Sequence, residues 1–424
     1  MKKRILVISW FFPPVNSSEG LVTYKLLNNS KNNYDVFTQK SNNSWAYKQS
    51  DNLYINDNIN RIYSNAKDLD EYYEEAIEYY NKNVDKYDVV MTRSMPEISH
   101  EIGLKIKKIN PSVIWIASFG DPISNNPFTK KACSMTNPFS LKQRYERKMS
   151  VKEIISPKRI IKSFICRIRI KKMNRNIFKK NEILQRNVVE NCDKIIFNSE
   201  YQKNYMLSEY PVYLNLDKKS IVLPHSFDEK LYGNENKEKN EKMVFSYVGH
   251  LDDIRTPRLL FEALKELKKN DDSLSNRVEF NFYGNLSDND KLYLINNDLI
   301  DIVKIKKNIT YIESLNVMQK SDWLIHIDAN ISDMILSNIF FAAKLVDYLG
   351  SKKPIMGITM LEGISADILR ENDGLVISHS IEDIKNYLYL IIYNNYKINM
   401  SSICREEYNA IKVAHTFDKI IEKI

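Results

Sequence analysis

Short apolar runs alternate with helical patterns along nearly the whole chain. In the first half, the runs at 4–9, 34–37, 88–92, 113–118, 194–198 and 220–223 read as strands. Between them, 19–28, 69–81 with its tyrosine stripe, and 97–108 carry helical periodicity. Residues 233–242 read GNENKEKNEK, with no apolar side chain, and so form a solvated linker and candidate domain boundary. The alternation then restarts. Strands are expected at 243–248, 278–283, 309–312, 322–327, 354–358 and 374–377. Helices are expected at 257–269, 340–349, 365–371 and 381–393, and 401–424 reads as a final helix pair. Strands alternating with helices build βαβ units and parallel sheets. The expected fold class is therefore α/β, with doubly wound domains at 1–232 and 243–400 and no internal sequence repeat. A central cleft should lie between the carboxyl ends of the two sheets, where ligands bind.

Composition changes this picture little. A chain of 424 residues is too long for one ordinary core, and 43% hydrophobic residues with 11% aromatics suit a globular protein. The four cysteines, Cys133, Cys166, Cys192 and Cys404, lie far apart and form no CxxC pair. That speaks against zinc and a disulfide framework and fits a reducing cytosol. The start, MKKRILVISWFF, is basic and then apolar, but Pro13-Pro14 follows without a small-residue cleavage site, so it reads as a first buried strand. No run of 18 apolar residues occurs.

Charge changes it more. The net charge of +8 is local: residues 141–180 hold 15 Lys and Arg against 2 acids, leaving the remainder at −5. Ile161, Phe164, Ile165 and Ile168 share one helical face within that basic stretch. A basic amphipathic segment reads as a contact for an anionic membrane surface, or as a solvated insertion. No aromatics interleave the charges, so nucleic acid is not an expected partner. The expected location is the cytoplasm, with this stretch able to hold the chain at the inner face of the cell membrane.

The candidate chemistry centres on 340–358, FFAAKLVDYLGSKKPIMGI, read as a helix, a stop at Lys352-Lys353-Pro354 and a buried strand. Lys344 and Asp347 lie three apart and share a helix face. A lysine at a helix start suits a phosphate, and an acid one turn on can accept from sugar hydroxyls. In 244–258, a strand runs into Gly249 and His250, followed by Arg255 and by Pro257 opening a helix. Glycine and helix N-terminus can hold phosphate, with Arg255 as a donor fork and His250 as a further donor or a structural residue. Tyr283-Gly284 ends another strand, where it could pass close to a base or ribose. In the first strand-to-helix loop, Ser17 or Ser18 can cap, and Ser18, Glu19 and Gly20 form either an acceptor-side loop or an ordinary capped turn. Asp121, at the end of a strand before Pro122, is either a cleft acid or a turn aspartate. HExxH, GxSxG and Walker signatures are absent, and histidine is scarce at six.

These motifs resemble the GT-B glycosyltransferases of the family-4 kind, especially those that build bacterial surface polysaccharides. That family shows a strand followed by G-R-L-x-x-x-K, which here reads Gly249-His250-Leu251 and then Arg255. It also shows K-x-x-E-Y-L-x-x-x-K-P, which here reads Lys344, Asp347-Tyr348-Leu349, Lys353-Pro354. The resemblance implies two Rossmann-like domains, with the donor in the second and the acceptor in the first, and last helices crossing back onto the first domain. It implies transfer of a hexosyl group from a nucleotide sugar to a glycan or lipid-linked acceptor, with retention, without a cofactor and without a metal. Arg255 and Lys344 would hold the donor phosphates, Asp347 its ribose, and Asp121, Arg255 and Lys344 would act in catalysis. Two departures stand out. Ile339 occupies the place of a second acid, and Gly120 that of a strand-end histidine, with Asp121 following. An epimerase of the same fold, or an inactive scaffold subunit, is the alternative reading.

Overall fold

A computed structural model describes residues 2–15, 17–40, 53–135, 157–233, 240–398 and 404–424, with only the backbone described at 157–173. Most of the 233–242 linker and the apolar face of the basic stretch lie outside that description. The first sheet contains β1 (Arg4–Ile8), β2 (Asn33–Gln39), β3 (Ile59–Ser64), β4 (Val89–Arg93), β5 (Ile114–Ser118), β6 (Lys194–Phe197) and β7 (Ser220–Val222). Its order is β3-β2-β1-β4-β5-β6-β7, and the pairings are parallel. The second contains β8 (Met243–Val248), β9 (Val278–Tyr283), β10 (Val303–Lys306), β11 (Trp323–Ile327), β12 (Ile355–Ile358) and β13 (Leu375–Ile377). These run β10-β9-β8-β11-β12-β13, also parallel. The expected pair of doubly wound α/β domains is borne out.

The central strands are legible because helices cover both of their faces. Ile5 to Ile8 are fully buried, and such strands read as unbroken apolar runs. The two strands that the pattern misses, β3 (INRIYS) and β10 (VKIK), are sheet edges with a polar side. Edge strands carry charges, and that interrupts the apolar run. The expected strand at 309–312 is instead a loop that enters the helix Tyr311–Lys320. Thr310 and Glu313 form a capping box there, satisfying first-turn amides that a strand would have paired sideways.

The tail also departs from the expected helix pair. It is a 3-10 turn, Cys404–Tyr408, and one helix, Ala410–Glu422. Val413, Ala414, Phe417 and Ile421 recur at helical spacing and are buried against Tyr24 and Leu27 of the first domain's Ser18–Asn28 helix. The carboxylate of Asp418 completes this dock. It accepts from Asn32 Nδ2 at 2.8 Å, from the Lys31 amide at 3.1 Å, and from the Ser30 hydroxyl.

The interface between the domains carries charge as well as apolar contact. Lys25 of the Ser18–Asn28 helix meets Asp347 of the helix Ala343–Gly350 at 2.9 Å, with both side chains buried. Phe128 packs edge-on against Phe340, and Lys131 pairs with Asp333 at 2.9 Å.

Asp418→Ala leaves the buried Asn32 amide donor unmatched, a cost of roughly 1–3 kcal/mol, while Ser30 can turn to Tyr34. Urea unfolding of this variant should show a lowered midpoint, and an unchanged midpoint would refute a structural role for the dock.

Candidate active site

The site starts from two glycines. Gly249 and Gly284, at the ends of β8 and β9, have φ of 127° and 139°, conformations that favour glycine. A Cβ on Gly284 would lie 2.1 Å from the carbonyl oxygen of Gly249, so the two loops pack backbone on backbone. With Ser17 and Ser18 opposite, and Tyr283, Thr310 and Tyr311 around them, they line a cavity of about 160 Å³ between the domains. The sequence-predicted Ser18, Gly249, Tyr283 and Gly284 thus come together. The 308–310 loop beside them is missed, because Ile309 and Ile312 imitate a strand.

The helix Ala343–Gly350 begins close to Gly249 without a side-chain cap, since Ala342 occupies the N-cap position. Lys344, in its first turn, lies beside Gly249: a Cβ there would be 2.8 Å from Nζ. The ammonium donates to the Tyr247 hydroxyl and stands 4.1 Å from that ring's centre. Burial, reinforced by the positive charge of Arg255, holds Lys344 well below the usual lysine range, and Asp328 opposes this only in part. Arg255 is placed by Asp252, whose carboxylate accepts from the Arg255 amide at 2.7 Å and the Ile254 amide at 2.8 Å. Its Nε is buried without a hydrogen-bond partner among the described residues. Arg255 and a lysine that a bound anion would re-protonate therefore converge beside glycine backbone and an uncapped helix start. Such a site favours a bound anion, which would relieve their repulsion.

Asp328, at the end of β11, is a buried acid that sequence reasoning missed. It accepts from Thr359 at 2.8 Å and from Asn338 at 2.9 Å, and His326 Nε2 lies 3.1 Å away. Burial alone would raise its pKa, but His326 and Arg255 outweigh that and hold the carboxyl below the usual range. Its signal was an acid directly following the apolar strand WLIHI.

On the first domain, Asp121 follows β5 and is raised to about 6 by burial, against the pull of Arg255. Glu19 pairs with Arg93, and burial, reinforced by Asp121, raises its carboxyl despite that partner. Gly120 sits against the same carboxylate, because a Cβ there would lie 2.9 Å from Glu19 Oε2. Glu19 and Asp121 are thus neighbours around a charge cluster. Gly20 is different: it is buried against Phe11, and its amide is taken by Ser17 at 3.0 Å, so its smallness serves packing. The His250 side chain is exposed, and its carbonyl accepts from Tyr247 at 3.1 Å.

Asp347 meets an arrangement that the helix pattern does not show. Its Oδ1 accepts from Lys25 at 2.9 Å and from the Tyr311 hydroxyl at 2.9 Å. Burial raises its carboxyl, and Lys25 opposes that shift. Lys25 escapes sequence reading because a lysine on a helix normally faces water, and its partner lies 322 residues further on.

No family model matches the chain, and no curated protein matches it in sequence. Solved structures do. Sucrose-phosphate synthase from Thermosynechococcus elongatus superposes with a TM-score of 0.66 at 12% identity, over 100% of this chain and 99% of that one. The lipopolysaccharide outer core galactosyltransferase WaaB, in its apo form, gives 0.58 at 12% identity, over 99% and 100%. The chain has the GT-B fold. A Listeria monocytogenes protein described as a UDP-N-acetylglucosamine 2-epimerase matches this GT-B chain as well, with a TM-score of 0.56 at 10% identity over 100% and 98%. At such identities the likeness establishes the fold and leaves chemistry to the site.

A depressed lysine has a defined pH signature. The unfolded chain binds a proton at Lys344 that the native chain has released, so stability should rise with pH from the depressed value up to the usual lysine range. Stability against urea, compared between the wild type and Lys344→Met from pH 7 to 10, should show the difference moving in favour of the wild type as pH rises. Parallel curves would contradict the burial of this charge.

Proposed function

We propose that the protein is a glycosyltransferase that moves a hexosyl group from a nucleotide-sugar donor to a glycan or lipid-linked acceptor in cell-surface polysaccharide synthesis. One observation carries the reading. Lys344, buried and within electrostatic reach of Arg255, meets it at the cleft beside Gly249 and an uncapped helix N-terminus.

Glycosyl transfer leaves a diphosphate on which negative charge grows as the sugar becomes cationic. Preorganised cations and helix amides stabilise that charge in the transition state more than in the ground state. Arg255 and Lys344, the latter re-protonated by the bound diphosphate, would thereby do the work that a divalent ion does elsewhere, so neither metal nor cofactor enters the scheme. Asp121, ionised above about pH 6 and within electrostatic reach of Arg255, would serve the acceptor side. It can orient an acceptor hydroxyl or take its proton. Retention of configuration follows from the family resemblance.

The sugar would be held between Gly284, Lys344 and the acceptor-side Glu19–Arg93 cluster. Tyr283 and the 308–310 loop would face the base and ribose. The same site could bind a nucleotide sugar for epimerisation, as the Listeria relative's description suggests. The acceptor-side carboxylates favour transfer, because an epimerase needs no second sugar.

Membrane association rests on the charge of 141–180 and on its place in the acceptor domain, where the helix Pro157–Asn191 carries most of it. Among the described residues no helix is long and apolar enough to cross a membrane.

Lys344→Ala and Arg255→Ala should each lower kcat by about 10²–10³, the usual loss for one donor of a preorganised charge site. Assays of nucleotide release from a nucleotide-sugar panel measure this, and undiminished turnover in either variant would remove the phosphate assignment. Separately, the chain should float with liposomes that contain anionic phosphatidylglycerol and stay unbound to neutral phosphatidylcholine. Failure to bind the anionic vesicles would remove the membrane claim.

A further inference from the structure

The cavity beside the two glycines offers less room than a whole donor needs. Ligand pockets usually hold about 300–1,000 Å³, and this one offers about 160 Å³. A nucleotide sugar seated against these glycines and the 308–310 loop would widen it. One wall is Ser17 and Ser18, at the start of the Ser18–Asn28 helix. Lys25 lies seven residues after Ser18, two turns on and on the same face of that helix. A helix moves as a rigid unit, so displacing the Ser18 wall outward draws the Lys25 ammonium away from Asp347.

That separation has a chemical consequence. Asp347 Oδ1 is held by Lys25 and by Tyr311, and Tyr311 also lines the cavity. Once Lys25 withdraws, a buried carboxylate has lost its cation, an arrangement that folded proteins do not sustain without replacement donors. Ribose hydroxyls are donors of the right kind, and Tyr311, which lines the cavity, bonds this carboxylate from behind the wall.

We infer that Lys25 is a positioning residue that sets donor access: its ammonium holds Asp347 in the empty cleft, and the donor ribose takes that carboxylate from it. This rests on the donor-site reading above and adds to it a competitor supplied by the opposite domain. It also reconciles the ribose role implied for Asp347 with a carboxylate that is already engaged. Removing the competitor enlarges the fraction of molecules able to bind, so affinity rises. A merely structural lysine would do the reverse, since its loss would loosen the wall that the ligand needs.

The test uses the full chain and calorimetric titration with UDP, GDP and ADP, together with small-angle scattering of the ligand-free protein. Lys25→Met should bind its preferred nucleoside diphosphate about 5-fold more tightly or better, the lower end of usual couplings between linked sites. Its ligand-free radius of gyration should exceed that of the wild type. The gain should vanish when the same substitution is made in an Asp347→Asn background. Lys25→Gln, which keeps a hydrogen-bond donor for Asp347 without the charge, serves if the methionine variant does not fold, and a smaller gain in the same direction is expected because a weaker competitor remains. Nucleotide binding that is equal or weaker in these variants, with an unchanged radius, would overturn this inference and leave the donor site standing. Binding of no nucleotide by the wild type or the variants would overturn both.

Discussion

Two charges that meet inside the protein, Lys25 and Asp347, constrain how its halves can sit. Neither can remain buried alone, because an isolated ion in a low-dielectric interior costs several kcal/mol even after relaxation. Their 2.9 Å contact therefore fixes the register of the Ser18–Asn28 helix against the Ala343–Gly350 helix. Tyr232 adds to it from the connection between the domains by donating to the Asp347 carbonyl at 2.7 Å. The final helix adds more, since it follows the second domain in sequence yet packs on the first. In the ligand-free arrangement, which loops face one another across the cleft follows from this alignment.

The cleft itself is built on the opposite imbalance. Lys344 and Arg255 repel, and the nearby acids do not cancel them: Asp328 is occupied by His326, Asn338 and Thr359, and Asp121 stands across the cleft. A protein keeps such repulsion where a ligand relieves it. Backbone supports the same conclusion, because only glycine allows the β8 and β9 loops to approach as they do. Anion binding is thus written into charge, helix direction and backbone shape together.

Much of this was legible in the sequence. The buried strands and the helix carrying Lys344 announce themselves by apolar periodicity, and Gly249, Gly284 and Arg255 by their place after such strands. What was hidden depends on distance in the chain. Edge strands β3 and β10 lack the double-sided burial that makes a strand readable. Lys25, Arg93 and Asp328 look like ordinary charged residues until the fold supplies Asp347, Glu19 and His326 as partners. The helix at Tyr311 was obscured by two isoleucines, although Thr310 and Glu313 carried its capping signal. Asp347 was found by spacing, but its occupation by Lys25 required a contact between domains.

The central claim is that this cleft binds a nucleotide sugar through Lys344 and Arg255. Calorimetric titration of the wild type and of the Lys344→Ala/Arg255→Ala double variant with a panel of nucleotide sugars tests it most directly. The account expects one sugar nucleotide to bind the wild type at one site per chain and the double variant to lose that binding while remaining folded. Equal affinity for both proteins, or no binding by the wild type across the panel, would contradict it.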